Sequence, residues 1–235
     1  MKLFNRCLIY LLLLLPLHSL AHGYWLEVSG THKVNEAATV RLFYGDCAAG
    51  EKLKGSFLDK MKDIQVFVTI NGRKGAVVMK QFDEYWEGSF IPAFEGLYEV
   101  TGLNDVRDVQ DWTKHQLGIV RPVQYLRASY AAGKANAQSI NAYALDAVVK
   151  KQDGQYNIGI YNDGKLFSEA SCTLGSFGHP DKKIGINKAG TTSLGSLAAG
   201  QYILSVEWID KTPGEFNGKA YASVRHRLDY TLVVE

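Results

Sequence analysis

The sequence predicts an all-β protein, and three observations support this. Short runs rich in β-branched and aromatic residues alternate apolar with polar positions, which is typical of strands with one buried face. Helical periodicity is nearly absent. Turn dipeptides, above all Asn71-Gly72 and Asp163-Gly164, separate the runs at hairpin spacing. Because the second half alone holds a series of such short runs, the pattern favours two immunoglobulin-like β-sandwich domains in tandem.

The first 21 residues have the composition of an export signal. Lys2 and Arg6 precede an apolar run at 8–17, and Ser19 and Ala21 are small residues at the positions that a signal peptidase reads. The run is too short for a helix across a bilayer core of about 30 Å, and no later run approaches that length. We therefore expect residues 1–21 to be removed and the mature protein to be exported and periplasmic, without a transmembrane segment.

The first domain is expected to span residues 22–104. Asn71-Gly72 should close a hairpin between its third and fourth runs, and Glu95-Gly96 should break the chain before the last one. The candidate strands of this domain lie at 24–28, 39–44, 64–70, 77–82, 86–91 and 97–101.

Residues 105–140 are polar, include an alanine-rich tract and show no clean period. We expect them to be a connecting segment on the surface, with one strand near 123–130. The second domain is then expected to span 141–235. Its candidate strands lie at 144–149, 156–161, 166–173, 183–187, 191–197, 202–208 and 221–234.

Charge and motifs exclude several classes of function. The formal charge of +2 falls to zero when the two basic residues of the signal are lost. With no basic run and no aromatic residues interleaved with basic ones, nucleic acid is not an expected partner. The chain also lacks H-E-x-x-H, paired-cysteine zinc, P-loop, dinucleotide and G-x-S-x-G motifs, so a hydrolase or a nucleotide enzyme has no support.

His22 is the most informative residue because cleavage after Ala21 would make it the first of the mature chain. Its α-amine and imidazole both lose protons near neutrality and together can chelate a metal. A second histidine would complete a three-nitrogen site, which suits Cu²⁺, Ni²⁺ and, less selectively, Zn²⁺. The simpler interpretation is that His22 only leads into the first strand.

His226 is the preferred partner of His22, followed by His115 and His32. In the run 223–234, His226 shares one strand face with apolar residues, where a neutral imidazole would be buried. A hydrogen-bonded core histidine is the alternative. His115 could line a cleft between the domains, His32 lies in the first turn, and His179 is expected in a surface loop. A site shared by His22 and His226 requires the amino terminus to pack against the last strand.

The mature chain keeps two cysteines, Cys47 and Cys172. In an oxidising compartment they could form a disulfide. Because they are far apart in sequence, they could equally be two buried small residues.

Several stretches of the mature chain resemble one family of exported bacterial proteins. The junction at 21–27, AHGYWLE, and the strand VRLFYG at 40–45 match the start of that family. The stretches at 160–172, 186–208 and 221–234 resemble its second half, which ends in a strand with a histidine. The family is long described as a domain of unknown function and is associated with nickel and cobalt uptake, as NikK- or CbiK-like periplasmic components.

This resemblance implies a non-enzymatic accessory protein that captures a divalent transition metal, Ni, Co or Cu, and presents it to a membrane transporter. His22 matches the family's leading histidine, and His226 matches the one in its closing strand. Two alternatives remain open from the residues alone. One is a copper enzyme for oxidative cleavage that uses an amino-terminal histidine. The other is an envelope scaffold or adaptor without a metal, in which His22 is incidental.

Overall fold

The computed structural model describes residues 22–134 and 143–234. The predicted export signal at 1–21 and the end of the predicted connecting segment, 135–140, lie outside the described residues. Nearly all regular structure is strand, which confirms the predicted all-β class. Two 3-10 helices, Gly55–Met61 and Thr113–His115, lie within the first of the described ranges. No helix within the described ranges is long and apolar enough to span a bilayer.

The strands are short in the main and follow one another closely. They are β1 Gly23–Ser29, β2 Ala38–Asp46, β3 Glu51–Lys52, β4 Gln65–Ile70, β5 Arg73–Val77, β6 Lys80–Gln81, β7 Trp86–Phe90, β8 Gly96–Asn104, β9 Gln110–Trp112, β10 Gly118–Ala132, β11 Leu145–Gln152, β12 Gln155–Asn162, β13 Lys165–Leu166, β14 Ser171–Ser176, β15 His179–Ile184, β16 Thr191–Leu194, β17 Gly200–Asp210, β18 Gly214–Phe216, β19 Lys219–Tyr221 and β20 Ser223–Val234.

One sheet, the central sheet, contains strands from both halves of the chain. Its order is β15-β14-β17-β20-β10-β8-β4-β5, with β9 beside β10. The halves meet where β10 runs parallel to β20, in a register from Val120 opposite Ser223 to Ala128 opposite Thr231. The other pairs in this sheet are antiparallel. The two sandwiches therefore share their middle layer.

Two smaller sheets cover the central sheet on opposite faces. The outer N-terminal sheet, β1-β2-β7-β6 with β3 beside β2, packs its Leu26 and Leu42 against Leu126 of β10. The outer C-terminal sheet, β11-β12-β13 with β16 beside β12, packs against the other face, where Ile160 joins the cluster that contains Leu228 of β20. Side chains that alternate along β10 and β20 thus enter two different cores.

The prediction that residues 105–140 connect two domains over the surface is wrong for part of that segment. It contains β10, a strand of 15 residues that begins at Gly118 rather than near 123 and is buried over most of its length. Its pairing with β8 on one side and β20 on the other accounts for the burial. The sequence predicts a strand here but not its burial, because Gln124 and Arg127 are polar. Inside the protein, Gln124 donates to Asp229 and Arg127 pairs with Asp146.

Candidate functional site: a cleft at the open end of the C-terminal sandwich

A cleft of about 660 Å³ lies where the central sheet and the outer C-terminal sheet separate. Its floor is formed by β8, β10, β17 and β20, and its opposite wall by residues near the start of β11 and by the turn between β12 and β13. The lining residues are Leu103, Asp105, Arg121, Val123, Tyr125, Tyr143, Ala144, Asp163, Gly164, Asp210, Val224 and His226.

Strand register explains why these side chains converge. Val123 of β10, His226 of β20 and Trp208 of β17 are partners across three neighbouring strands. Partners across strands project from the same face of a sheet. The next row toward the open end is Arg121, Val224 and Asp210. His226 and Asp210 are therefore diagonal neighbours on one face, at a backbone separation of about 7–8 Å that two side chains can bridge.

His226 is held in place by aromatic neighbours. Its Nδ1 shares a hydrogen bond of 2.9 Å with the hydroxyl of Tyr125. Its ring stacks on Trp208 with 5.2 Å between ring centroids. Burial lowers the pKa of His226, although the nearby carboxylates of Asp210 and Asp163 act in the opposite direction. The neutral imidazole is favoured, and when Nδ1–H donates to Tyr125 the Nε2 atom keeps a free lone pair.

Three carboxylates lie around the cleft. Asp210 ends β17, where its Oδ1 accepts hydrogen bonds from the backbone N–H of Thr212 at 3.0 Å and from its Oγ1 at 2.7 Å. Asp163 lies on the opposite wall in the Asp163-Gly164 turn, whose φ values of 46° and 78° are the left-handed pair that a two-residue hairpin needs. Asp105 follows β8. Arg121 is a cation on the same lining.

His22, by contrast, is exposed at the start of β1. Its ring lies 5.6 Å from that of Tyr44, which in turn stacks on Tyr24. Charges of both signs lie near it: Lys60 Nζ is 5.9 Å from the Tyr44 ring centroid, and the Arg227 guanidinium and the Asp229 carboxylate lie beside Gly23.

The structure does not bring His22 and His226 together. Gly23, next to His22, lies against the guanidinium of Arg227 and the carboxylate of Asp229. Arg227 projects from the face of β20 opposite to His226, since neighbouring residues of a strand alternate. The amino terminus does pack near the last strand, but on the wrong side of the sheet. The expected two-histidine site is therefore not formed.

The other candidate histidines lie away from the cleft. His32 stacks on Tyr130 at 4.8 Å, and its Nδ1 is 2.8 Å from the carbonyl of Ala131, so it fixes a turn. His115 is exposed at the end of a 3-10 helix, and His179 is exposed at the start of β15 rather than in a loop. Across residues 22–134 and 143–234, no three His, Cys, Asp or Glu side chains are grouped tightly enough to hold a metal together.

Cys47 and Cys172 are both free, so the possible disulfide is not formed. Cys172 lies in the core beneath the outer C-terminal sheet, whereas Cys47 packs beside Trp25 and Phe43 on the other face of the central sheet. Burial raises the pKa of each thiol to about 12. Cys172 is thus a fully buried free thiol and Cys47 a half-buried one.

Sequence reasoning missed most of the cleft. The sequence marks Asp163 only as part of a turn and Asp105 only as the first residue of the polar segment 105–140, and it gives Asp210 no role. One signal was available: continuing the alternation of 202–208 by two residues places Asp210 on the face of Trp208. No local sequence pattern predicts where the outer C-terminal sheet, which completes the cleft, packs on the central sheet.

Comparisons with known proteins leave the chain without an assigned family. No protein-family model matches it, and no curated protein gives a significant match. A solved structure titled "Marsupial T cell receptor" is similar with a TM-score of 0.23 and 6% sequence identity, over 89% of this chain and 74% of that chain. A TM-score this low does not establish a shared fold. The all-β layered architecture rests on the sheets described above.

Proposed function

We propose that the protein is an exported metal-binding accessory protein that captures a divalent transition metal through His226 in the cleft, for presentation to a membrane transporter. The observation that carries the proposal is an imidazole whose pKa burial lowers, oriented by a tyrosine hydroxyl, with carboxylates on both walls of an open cleft. The metal is cargo, Ni, Co or Cu, and the protein performs no chemistry on it.

The hydrogen bond to Tyr125 is the contact that prepares His226 for this role. A ligating histidine commonly donates its other ring N–H to an oxygen, which fixes the ring and raises the basicity of the coordinating nitrogen. Burial adds to this by disfavouring the protonated form, which cannot bind metal. His226 therefore needs little reorganisation to become a ligand.

Asp210 is the nearest carboxylate by register and supplies the second ligand. Its position on the diagonal from His226 lets one oxygen approach a metal that lies about 2.0–2.1 Å from Nε2. Its Oδ1 is already oriented by Thr212, so the carboxylate is held without being neutralised. Asp163 and Asp105 contribute attraction at longer range, because like charges around a cleft raise the local concentration of cations.

Calorimetric titration of the mature chain, beginning at His22, with Ni²⁺ and Cu²⁺ tests the proposal. We expect His226→Ala to weaken binding at least tenfold, and Asp210→Asn to weaken it by about fivefold to tenfold. His115→Ala is the matched control, because it removes an exposed imidazole outside the cleft. One alanine added ahead of His22 should also leave the affinity unchanged.

Two outcomes would overturn the proposal. Loss of binding in the alanine-extended chain, with full binding in His226→Ala, would move the site to the amino terminus. Equal and weak binding in every variant would favour the scaffold alternative.

A further inference from the structure

The cleft is much larger than a metal ion requires. Its volume of about 660 Å³ lies within the range of about 300–1,000 Å³ typical of small-molecule sites. A metal with six waters, at about 30 Å³ each, would fill roughly a quarter of that space. Room therefore remains for an organic molecule beside the ion.

The protein also supplies few ligands. His226 and Asp210 would occupy two positions of an octahedral metal and leave about four open. Open positions can hold water, or they can hold a chelating molecule that arrives with the metal.

The environment of Arg121 favours a chelating molecule over water in the open positions of the metal. Its guanidinium stacks on Phe216 at 4.2 Å, and its Nη2 donates to the main-chain carbonyl of Asp105 at 3.1 Å. Its Nε is buried and has no hydrogen-bond partner within the described part of the chain, where Arg121 also forms no ion pair. The buried Nε is out of reach of a ligand in the cleft, but Nη1 also makes no hydrogen bond within the described residues, and this fixed guanidinium can therefore bind a carboxylate through Nη1.

The position of Arg121 fits the metal ligands. Arg121 and Asp210 are the partners of Val224 on its two sides, so they face the cleft two strand spacings apart. That is a backbone distance of about 9–10 Å, which two side chains and a small molecule can span.

We propose that the cleft binds its metal as a chelate with a small carboxylate ligand, such as an α-amino acid, with His226 and Asp210 on the metal and Arg121 on the carboxylate. This rests on the proposed function and names its ligand class. The charges on the cleft lining support this ligand class. Three carboxylates favour a complex that is cationic overall, and one guanidinium favours a carboxylate within it.

Two Ni²⁺ complexes that differ in one group test the inference. The 1:1 complex with glycine and the 1:1 complex with ethylenediamine both contain a five-membered chelate ring, but only the first has a carboxylate. Dissociation constants are measured by calorimetry for the mature wild-type chain, for Arg121→Gln and for Arg73→Gln. Arg73 is an exposed arginine on β5, at the edge of the sheet, and serves as the matched control.

We expect the wild type and Arg73→Gln to prefer the glycine complex. Arg121→Gln should reduce that preference by about tenfold, the value of one charge-assisted hydrogen bond of about 1.4 kcal/mol. If wild type and Arg121→Gln prefer the glycine complex to the same degree, the proposal of a bound chelate is wrong, and the proposal of metal capture is unaffected. Binding of neither complex nor of Ni²⁺ alone would overturn both the chelate and metal capture. Binding of glycine alone with the affinity of its complex would overturn the chelate, because the metal would then add nothing, and titration with Ni²⁺ alone would decide metal capture.

Discussion

The cleft and the buried ionic cluster beneath the same outer sheet differ in how their charges are compensated. Arg127 of β10 pairs through Nη1 with both carboxylate oxygens of Asp146 at 2.7 Å, and its Nε donates to Glu99 at 3.1 Å. Arg127 and Asp146 are 0% exposed. Six residues farther along the same face of the central sheet, Asp210 retains contact with solvent, and so does Asp163 on the opposite wall of the cleft.

The comparison separates charges that stabilise the fold from charges that can bind a ligand. Charges removed from water must be paired, because an unpaired buried ion costs several kcal/mol. The cluster of Arg127, Asp146 and Glu99, which we call the ionic lock, joins the central sheet to the first strand after the undescribed segment. At the open end the carboxylates stay hydrated, so a cation can approach them without first breaking an ion pair.

The largest expected effect is on the ionic lock. Arg127→Met should destabilise the protein by about 3–5 kcal/mol, because it leaves Asp146 and Glu99 buried without a cation. The free energy of unfolding from urea titration measures this. A loss below about 1 kcal/mol would show that the lock is hydrated and would remove the contrast with the cleft.

His226→Ala should cost less stability, about 1–2 kcal/mol, since it removes a half-buried ring and one hydrogen bond. The same urea titration measures it, alongside the loss of metal affinity expected above. A stability loss as large as that of Arg127→Met would mean that His226 serves the fold rather than a ligand.

Stability should also depend on pH through His226. Because burial lowers its pKa in the folded state, its contribution is complete above the unfolded pKa of about 6.5 and is lost as the pH falls toward the folded value. Urea titrations between pH 8 and pH 5 should show the wild type losing stability faster than His226→Ala. Parallel curves for the two proteins would contradict this.

The smallest effect concerns the two thiols. Cys172 lies in the closed core between the central sheet and the outer C-terminal sheet. Cys47 is half-buried on the other face of the central sheet. A thiol reagent should count two thiols in the denatured, unreduced chain of residues 22–235, and in the native state Cys47 should react before Cys172. A count of zero would show a disulfide, and with it a different packing of the two faces.

Local pattern predicted much of the fold. The alternation at 24–28 and 202–208 marks β1 and β17, and Asn71-Gly72 closes the β4–β5 hairpin as expected, although β5 starts directly after the turn at Arg73. The parallel pairing of β10 with β20 could not be predicted, since it joins residues about a hundred positions apart. Alternation predicted that His226 shares a strand face with apolar residues. It could not predict that the amino terminus packs against the other face of that strand.

One measurement tests most directly whether metal binds at His226 or at His22. Each of the four tryptophans, which are Trp25, Trp86, Trp112 and Trp208, gives one indole N–H signal in a ¹H–¹⁵N spectrum. Paramagnetic Cu²⁺ broadens signals of nuclei near it. Substoichiometric Cu²⁺ should erase the Trp208 signal first, because that ring stacks on His226, and should leave Trp25 sharp. Loss of the Trp25 signal first, three residues after His22 in β1, would contradict a site in the cleft.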